Sequence, residues 1–356
     1  MRATVSRRRH RADRPVVAVT GAASGLGLAL LRRLAGRADL AGLVGLDATA
    51  APVPGVDWRT VDPGVPLPPA GLDNVDVVVH LAMSYDSTQA SGPRRRLNVR
   101  GTADILAAAR QAEVQRLVVV TSSDVYGAHT GGPVPLPDDA PLRAADDGGL
   151  IGDLLAVEHL VADLDRGEPA VTVLRPAPLI GGPLGPAYDG VLPRQLAATR
   201  LLALRGAEPL WQVCHTDDLL TALELAVTGA VVGVVPVASD GWLRQSEVEA
   251  LSGKRRLELP AAVAQSTAER LHRLGITASS PHELDRLLAP IVVDTAVLRT
   301  AGWAPGWTNA AAVKAYLEAA PARDSRSGAY TAAGATVALM GTAALVRRAR
   351  QRRRSR

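Results

Sequence analysis

The sequence predicts an α/β protein: a doubly wound parallel sheet, then a smaller, mostly helical C-terminal part and a helical C-terminal tail. Three observations carry this expectation. Short apolar runs at Val16–Thr20, Leu43–Asp47, Val75–His80, Leu117–Thr121 and Val171–Arg175 alternate with longer helical stretches. The runs are apolar throughout instead of at every second position, the pattern of strands covered on both faces. The first run ends on a glycine-rich turn that leads directly into a helix.

Taken in order, Val16–Thr20 is a β-branched run stopping at Gly21, which predicts a buried strand. A helix is expected from Leu26 to Leu34, a strand at Leu43–Asp47, a Pro/Gly-rich loop over 51–71 and a strand at Val75–His80. A helix from about Leu97 to Gln111, a strand at Leu117–Thr121, a loop over 127–149, a helix at Leu150–Leu164 and a strand at Val171–Arg175 complete the first half. The second half is less regular, with helices near 193–204, 217–228, 261–274 and 309–319 and strands near 211–214 and 231–237. The expected division is a basic arm (1–14), a dinucleotide-binding domain (15–180), a smaller substrate-type domain (181–320) whose segment near 205–240 returns to the sheet, and an apolar segment with an Arg-rich tail (321–356).

Composition narrows the function classes. Of 356 residues, 47% are hydrophobic and 21% charged, which excludes a disordered or fibrous chain. One cysteine, Cys214, excludes a disulfide framework, and no Cys pair exists for structural zinc, so no metal is expected. The net charge of +5 is terminal in origin. Residues 1–14 hold six arginines and one aspartate, and residues 347–356 hold seven arginines, which leaves the body at −7. The basicity is therefore no sign of a nucleic-acid-binding fold, although either tail could meet phosphates or an anionic membrane. No apolar stretch follows the N-terminal arginines, so no secretory signal is read and a cytoplasmic protein is expected.

The first turn reads Gly21-Ala22-Ala23-Ser24-Gly25-Leu26-Gly27 between strand and helix, and Asp47 ends the second strand twenty residues after Gly27. Glycines there let the backbone turn tightly and approach a pyrophosphate at a helix N-terminus, while a strand-end carboxylate bonds a ribose 2′-OH and repels a 2′-phosphate. That predicts NAD over NADP. The competing structural reading is a tight βα turn with Asp47 capping a loop.

Further motifs are Asp76-Val77-Val78-Val79-His80-Leu81-Ala82, Asn98-Val99-Arg100-Gly101-Thr102, Ser122-Ser123-Asp124-Val125-Tyr126-Gly127, Arg175-Pro176, His215-Thr216-Asp217-Asp218-Leu219, and Gly302-Trp303 with Pro305. Over about residues 15–320 the sequence resembles an extended short-chain dehydrogenase/reductase of the NAD-dependent epimerase/dehydratase family, with a Rossmann fold. One departure is Ser24, where the extended pattern has Gly. The resemblance implies that Gly21, Gly25, Leu26 and Gly27 face the pyrophosphate, Asp47 the adenosine ribose and Asp62 the adenine. It implies that Leu81 and Ala82 line the path to the nicotinamide ribose, while Asn98 props its helix against the sheet.

The family's chemistry needs a Tyr and a Lys four residues apart on one helix, and no Tyr-x-x-x-Lys exists in this chain. With Glu158 in the place of the acid that follows the family Lys, Leu150 falls at the Tyr position and Leu154 at the Lys position. Ser122 occupies the family's Ser/Thr position, either as a vestige or as a working hydroxyl. Asp146 or Asp147 in the preceding loop could supply an acid, whereas His159 is expected to project away. The family's substrate-side Asn is Pro178 here. The segment before His215, where an Arg is common, reads Trp211-Gln212-Val213-Cys214. His215 and Asp217 read as a helix cap and its support.

Two functions stay open. One is an NAD-binding protein without standard redox catalysis, acting as a cofactor sensor or partner-binding module. The other is a non-standard NAD-dependent oxidoreductase or isomerase that uses Ser122 and a loop acid. The partner classes are the dinucleotide, a small-molecule substrate, a protein partner, a second copy of the chain, and an anionic membrane surface at the inner face of the cell membrane. The last would be met through Ser327–Val346, twenty uncharged residues followed by the arginines.

Overall fold

The computed structural model describes residues 14–319, apart from 63–64, 163, 165–168, 183–187, 190 and 278. Seven strands form one sheet: β1 (Val16–Thr20), β2 (Gly42–Asp47), β3 (Val56–Thr60), β4 (Val77–His80), β5 (Arg116–Val120), β6 (Ala170–Pro176) and β7 (Gly233–Val237). Their order is β7-β6-β5-β4-β1-β2-β3, and every neighbour pair is parallel. Thr20 lies in register with Leu46 on one side and His80 on the other. The chain reverses direction across the sheet between β1 and β4, and in open α/β sheets ligands bind at such a switch point.

Helices cover both faces: α1 (Gly25–Leu34), α2 (Ser91–Arg95), α3 (Gly101–Gln111), α4 (Leu150–Ala162) and α6 (Thr216–Thr228), with α5 (Val191–Ala197) lying before α6 in the chain. A π-helical turn, Arg96–Arg100, joins α2 to α3. The main core centres on the strands, where Val17–Val19, Val77–Val79 and Leu117–Val120 have no exposed surface. A second core gathers Leu192, Leu196, Leu201, Leu204, Trp211 and Leu287 with α7 (Gln245–Ser252), α8 (Ala261–Arg273) and α9 (Asn309–Ala319).

Departures from the sequence reading include three elements. The loop expected over 51–71 contains β3, an edge strand that exposes Asp57 and Thr60 and leaves the rest half-buried, so it lacks a continuous apolar run. Its Trp58 ring lies where a side chain on Gly45 would sit, with a Cβ only 2.7 Å from the ring. The helix expected over 193–204 ends at Ala197, and Leu201–Leu204 is a strand paired with Arg256–Leu259. Four apolar residues in a row carry no period that separates strand from helix. Helix α7, which ends at the left-handed Gly253, was not expected at all. Among the described residues no helix is long and apolar enough to cross a membrane. The expected tail, 321–356, lies outside the described residues.

Candidate functional site

The turn after β1 has no room for side chains. Gly21 has a φ of +65°, and a Cβ on it would lie 2.9 Å from the Leu81 carbonyl oxygen. A Cβ on Gly27 would lie 2.1 Å from the Gly21 carbonyl oxygen. Gly25 also has positive φ, +53°. Ser24 precedes α1 without a side-chain cap, and the first turn of α1 carries no acid. The opening of α1 is therefore left to an external anion. This backbone cradle fits a dinucleotide pyrophosphate.

Asp47 accepts hydrogen bonds from the Ala23 amide (2.9 Å) and the Ala48 amide (2.7 Å), so it holds the turn while facing it. Each carboxylate oxygen keeps acceptor capacity for a ribose hydroxyl. Asp62 is exposed just beyond β3, whose continuation is tied to the end of β2 by the Val61 amide on the Asp47 carbonyl (3.0 Å).

The floor beside the turn is set by a buried polar relay. The amides of Leu81 and Ala82 both donate to Thr20 Oγ1, at 3.0 Å each. With its oxygen so engaged, Thr20 turns its hydrogen to His80 Nδ1, 2.8 Å away. His80 Nε2 then donates to Thr102 Oγ1 (3.1 Å), which donates to the Asn98 carbonyl (2.5 Å). That order requires the neutral imidazole, and complete burial pushes His80 down to about 4. The Asn98 side chain, fully buried, grips both the amide and the carbonyl of Ser84 (2.7 and 2.8 Å). It holds the loop after β4, whereas the resemblance implied a prop between helix and sheet.

A cavity of about 320 Å³ is lined by Tyr85 and Ser87 of the loop after β4 and walled by Ser122, Leu150, Leu154 and Pro176–Leu179. Ser122 caps the turn Ser123–Tyr126, its Oγ accepting from the Asp124 amide at 3.1 Å. Leu150 and Leu154 are both buried on the cavity side of α4. Farther along α4, Glu158 accepts from Thr121 Oγ1 (2.6 Å) and from Arg175 in a fork (2.9 Å at both oxygens). The Arg175 guanidinium lies 4.8 Å over the Tyr126 ring. Burial pushes the Tyr126 phenol up, and it donates to the Asp138 carbonyl (2.9 Å), so it is a packing group.

The loop acids part company. Asp146 turns to Arg95 (3.6 Å), while Asp147 lines the cavity and accepts from Ser280 and from the Gly149 amide. Asp153 is wholly buried against Arg94 (2.9 Å) and Arg95 (3.1 Å), and burial raises its carboxyl despite both arginines. His159 is exposed. His215 caps α6 by accepting from the Asp217 amide (3.2 Å), and it stacks on Trp307 with centroids 3.9 Å apart. Asp218 takes the Gly306 and Trp307 amides (2.7 and 3.3 Å), so this motif joins α6 to the segment before α9.

Sequence reasoning missed the far wall. Arg286, from the 3₁₀ segment Pro281–Leu287, is buried in the cavity lining and paired with Asp124. Asp124 sits inside a quoted motif, but nothing local announces its partner. Arg143 lies exposed on the same lining. Among the described residues no His/Cys/Asp/Glu group is placed to hold a metal ion.

Comparison with known proteins agrees with this geometry. The family model described as "NAD dependent epimerase/dehydratase family" matches residues 17–236. An uncharacterized protein of Mycobacterium tuberculosis (strain ATCC 25618 / H37Rv) is 30% identical over 316 residues, covering 85% of this chain and 83% of its own. A 3-diazoavenalumate denitrifying reductase of Streptomyces sp. is 30% identical over 232 residues, covering 63% of this chain and 76% of its own. Among solved structures, MoeE5 in complex with UDP-glucuronic acid and NAD superimposes with a TM-score of 0.63 at 22% identity, over 85% of this chain and 97% of that one.

Proposed function

We propose that this chain, which belongs to the NAD dependent epimerase/dehydratase family, binds NAD without the family's standard redox catalysis and acts as a cofactor sensor or partner-binding module. Gly21, Gly25, Leu26 and Gly27 would hold the pyrophosphate, Asp47 the adenosine ribose and Asp62 the adenine edge. Leu81 and Ala82, fixed by Thr20, would line the nicotinamide ribose. NAD bound there would bring a nicotinamide ring able to exchange hydride.

One observation carries the non-catalytic half of the reading. The cavity face of α4 offers Leu150 and Leu154, which can neither move a proton nor bond a ribose hydroxyl. Losing one acid/base group costs about 10²–10⁴ in rate, and losing the cation as well removes positioning. Asp147, on the same cavity as Ser122, favours the second reading, a non-standard oxidoreductase or isomerase. A relative named as a reductase also supports it.

Calorimetry on the purified full chain with NAD and NADP, followed by turnover assays with UDP-glucose and UDP-glucuronic acid, tests the proposal. NAD should bind more tightly, Asp47→Arg should move the preference toward NADP, and no turnover should follow. Failure to bind either dinucleotide refutes the cofactor reading. Turnover that vanishes in Ser122→Ala and in Asp147→Asn establishes the second reading instead. The arginine-rich tail is proposed to rest on the anionic cytoplasmic face of the cell membrane. In cell fractionation the protein should pellet and be released by high salt; recovery in the soluble fraction at low salt refutes it.

A further inference from the structure

The end of α8 is apolar where it meets solvent. Of its thirteen residues the helix buries Ala264 and Thr267. Leu274 and Ile276, just past its last turn, are 62% and 66% exposed, the two most exposed large apolar side chains among the described residues. Neither belongs to a frayed end. Gly275 takes a left-handed φ of +67°, its amide donates to the His272 carbonyl (2.9 Å), and the Ile276 amide donates back to the Leu271 carbonyl (3.0 Å). These two bonds close a Schellman turn. Such a turn ordinarily tucks its last residue against the helix, yet Ile276 stays outside.

A lone exposed apolar residue needs no explanation, but these two continue a line. Val263, Arg270 and Leu274 stand at i, i+7 and i+11, within about 40° of one another round the helix. An edge about 16 Å long therefore runs along α8 to Ile276, apolar at both ends with Arg270 between. The charges beside it favour one sign. Arg270 on the edge and Arg273, about 80° from it, are exposed, and neither has a side-chain partner among the described residues. The exposed acid of this helix, Glu269, lies about 120° round, turned away from the edge.

A groove on another protein would bury Arg270 together with the edge, at the cost of desolvating its charge. At a bilayer surface the arginine stem lies along apolar material while its head reaches a phosphate. An apolar edge flanked by unpaired arginines, with the acid turned away, suits a helix lying in an anionic membrane surface. We propose that the C-terminal end of α8 is a membrane contact, with Leu274 and Ile276 at the acyl boundary of an anionic bilayer and Arg270 and Arg273 on lipid phosphates. This deepens the membrane reading of the arginine-rich tail and rests on it, because one shallow contact binds only marginally and stable attachment takes two.

The test places a nitrobenzoxadiazole label on the full chain through Ile276→Cys. The native Cys214 has no exposed surface and burial pushes its thiol well up, so the introduced cysteine takes the label. Val232→Cys, at a residue 54% exposed outside α8, gives the control. With vesicles of equal parts phosphatidylglycerol and phosphatidylcholine, the label at position 276 should brighten several-fold and shift to the blue, and the control should not. Phosphatidylcholine alone should give no brightening; an equal response to it overturns the role given to the arginines. Leu274→Ser with Ile276→Ser, and separately Arg270→Gln with Arg273→Gln, should each weaken co-sedimentation with the anionic vesicles about tenfold, with NAD affinity and the urea midpoint unchanged. A label at position 276 that does not respond while the full chain sediments refutes this inference and leaves the tail reading standing. A label already bright and blue before lipid is added shows that residues 320–356 or a second copy cover the edge, and overturns it as well. Wild-type chain left in the supernatant refutes the tail reading and this inference together.

Discussion

His80 makes the protein acid-sensitive in a way that can be isolated. Its imidazole is fully buried, neutral, and pushed down to about 4 from an ordinary 6.5. As the pH falls below 6.5 the unfolded chain takes up a proton that the folded chain refuses, so stability declines until the pH has passed about 4. The interval corresponds to about 3 kcal/mol in all, most of it lost by pH 4.5. Protonation would also set two hydrogens against each other between Thr20 and His80, freeing Thr20 from the Leu81 and Ala82 amides. NAD affinity should fall in the same window. The measurement is urea denaturation of the wild type and of His80→Asn at pH 7 and pH 4.5. Carboxylates titrate in both proteins, so the difference between the two pH losses reports His80 alone. It should be about 2 to 3 kcal/mol, larger in the wild type. Parallel losses, or the His80 imidazole resonance (the one missing from the His80→Asn spectrum) titrating near 6.5 in the native protein, would show that the relay is wrongly drawn.

Two further substitutions probe the frame of the site. Gly27→Ala sets a Cβ 2.1 Å from a backbone carbonyl, with no flexible side chain to yield, so a loss of about 3 kcal/mol is expected by chemical denaturation, together with loss of NAD binding. Arg94→Met leaves the buried Asp153 carboxylate with only the Arg95 Nη1 bond (3.1 Å) and should cost about 3–5 kcal/mol, while Arg94→Met with Asp153→Leu should recover most of it. A double variant no more stable than the single would mean that the pair is not the unit.

The legible parts of this molecule are those whose cause lies within a few residues. The glycine turn and Asp47 were readable because a strand, a tight turn and a helix in immediate succession leave one geometry. The capping by His215 was readable because its donor, the Asp217 amide, is two residues away. Edge strand β3 was not, because half its surface faces water and polar residues such as Asp57 and Arg59 interrupt the run that marks a buried strand. The far wall of the cavity was not either. Arg286 meets Asp124 across 162 residues, and no local pattern records that meeting. The choice between Asp146 and Asp147 rested on which neighbour each would find, Arg95 or Ser280.

The π-helical turn between α2 and α3 has a consequence for how this chain tolerates change in length. An α-helix of 3.6 residues per turn drifts away from a four-residue repeat, and a stretch of wider i→i+5 turn drifts the other way. Spliced together, they let Arg94, Asn98 and Thr102, all with no exposed surface, point along one line at Asp153, Ser84 and His80. The helix thus works as a ruler whose marks are four residues apart. Removing a single residue from Arg96–Arg100 would restore ordinary winding and leave the later residues on their faces, because the wide turn holds about one residue more than an α-turn, whereas removing one from the first turn of α3 would rotate everything after it by about 100°. Surface loops absorb lost residues at little cost. The wide turn shares that tolerance inside a buried helix, while one residue lost from α3 itself would turn part of the core outward.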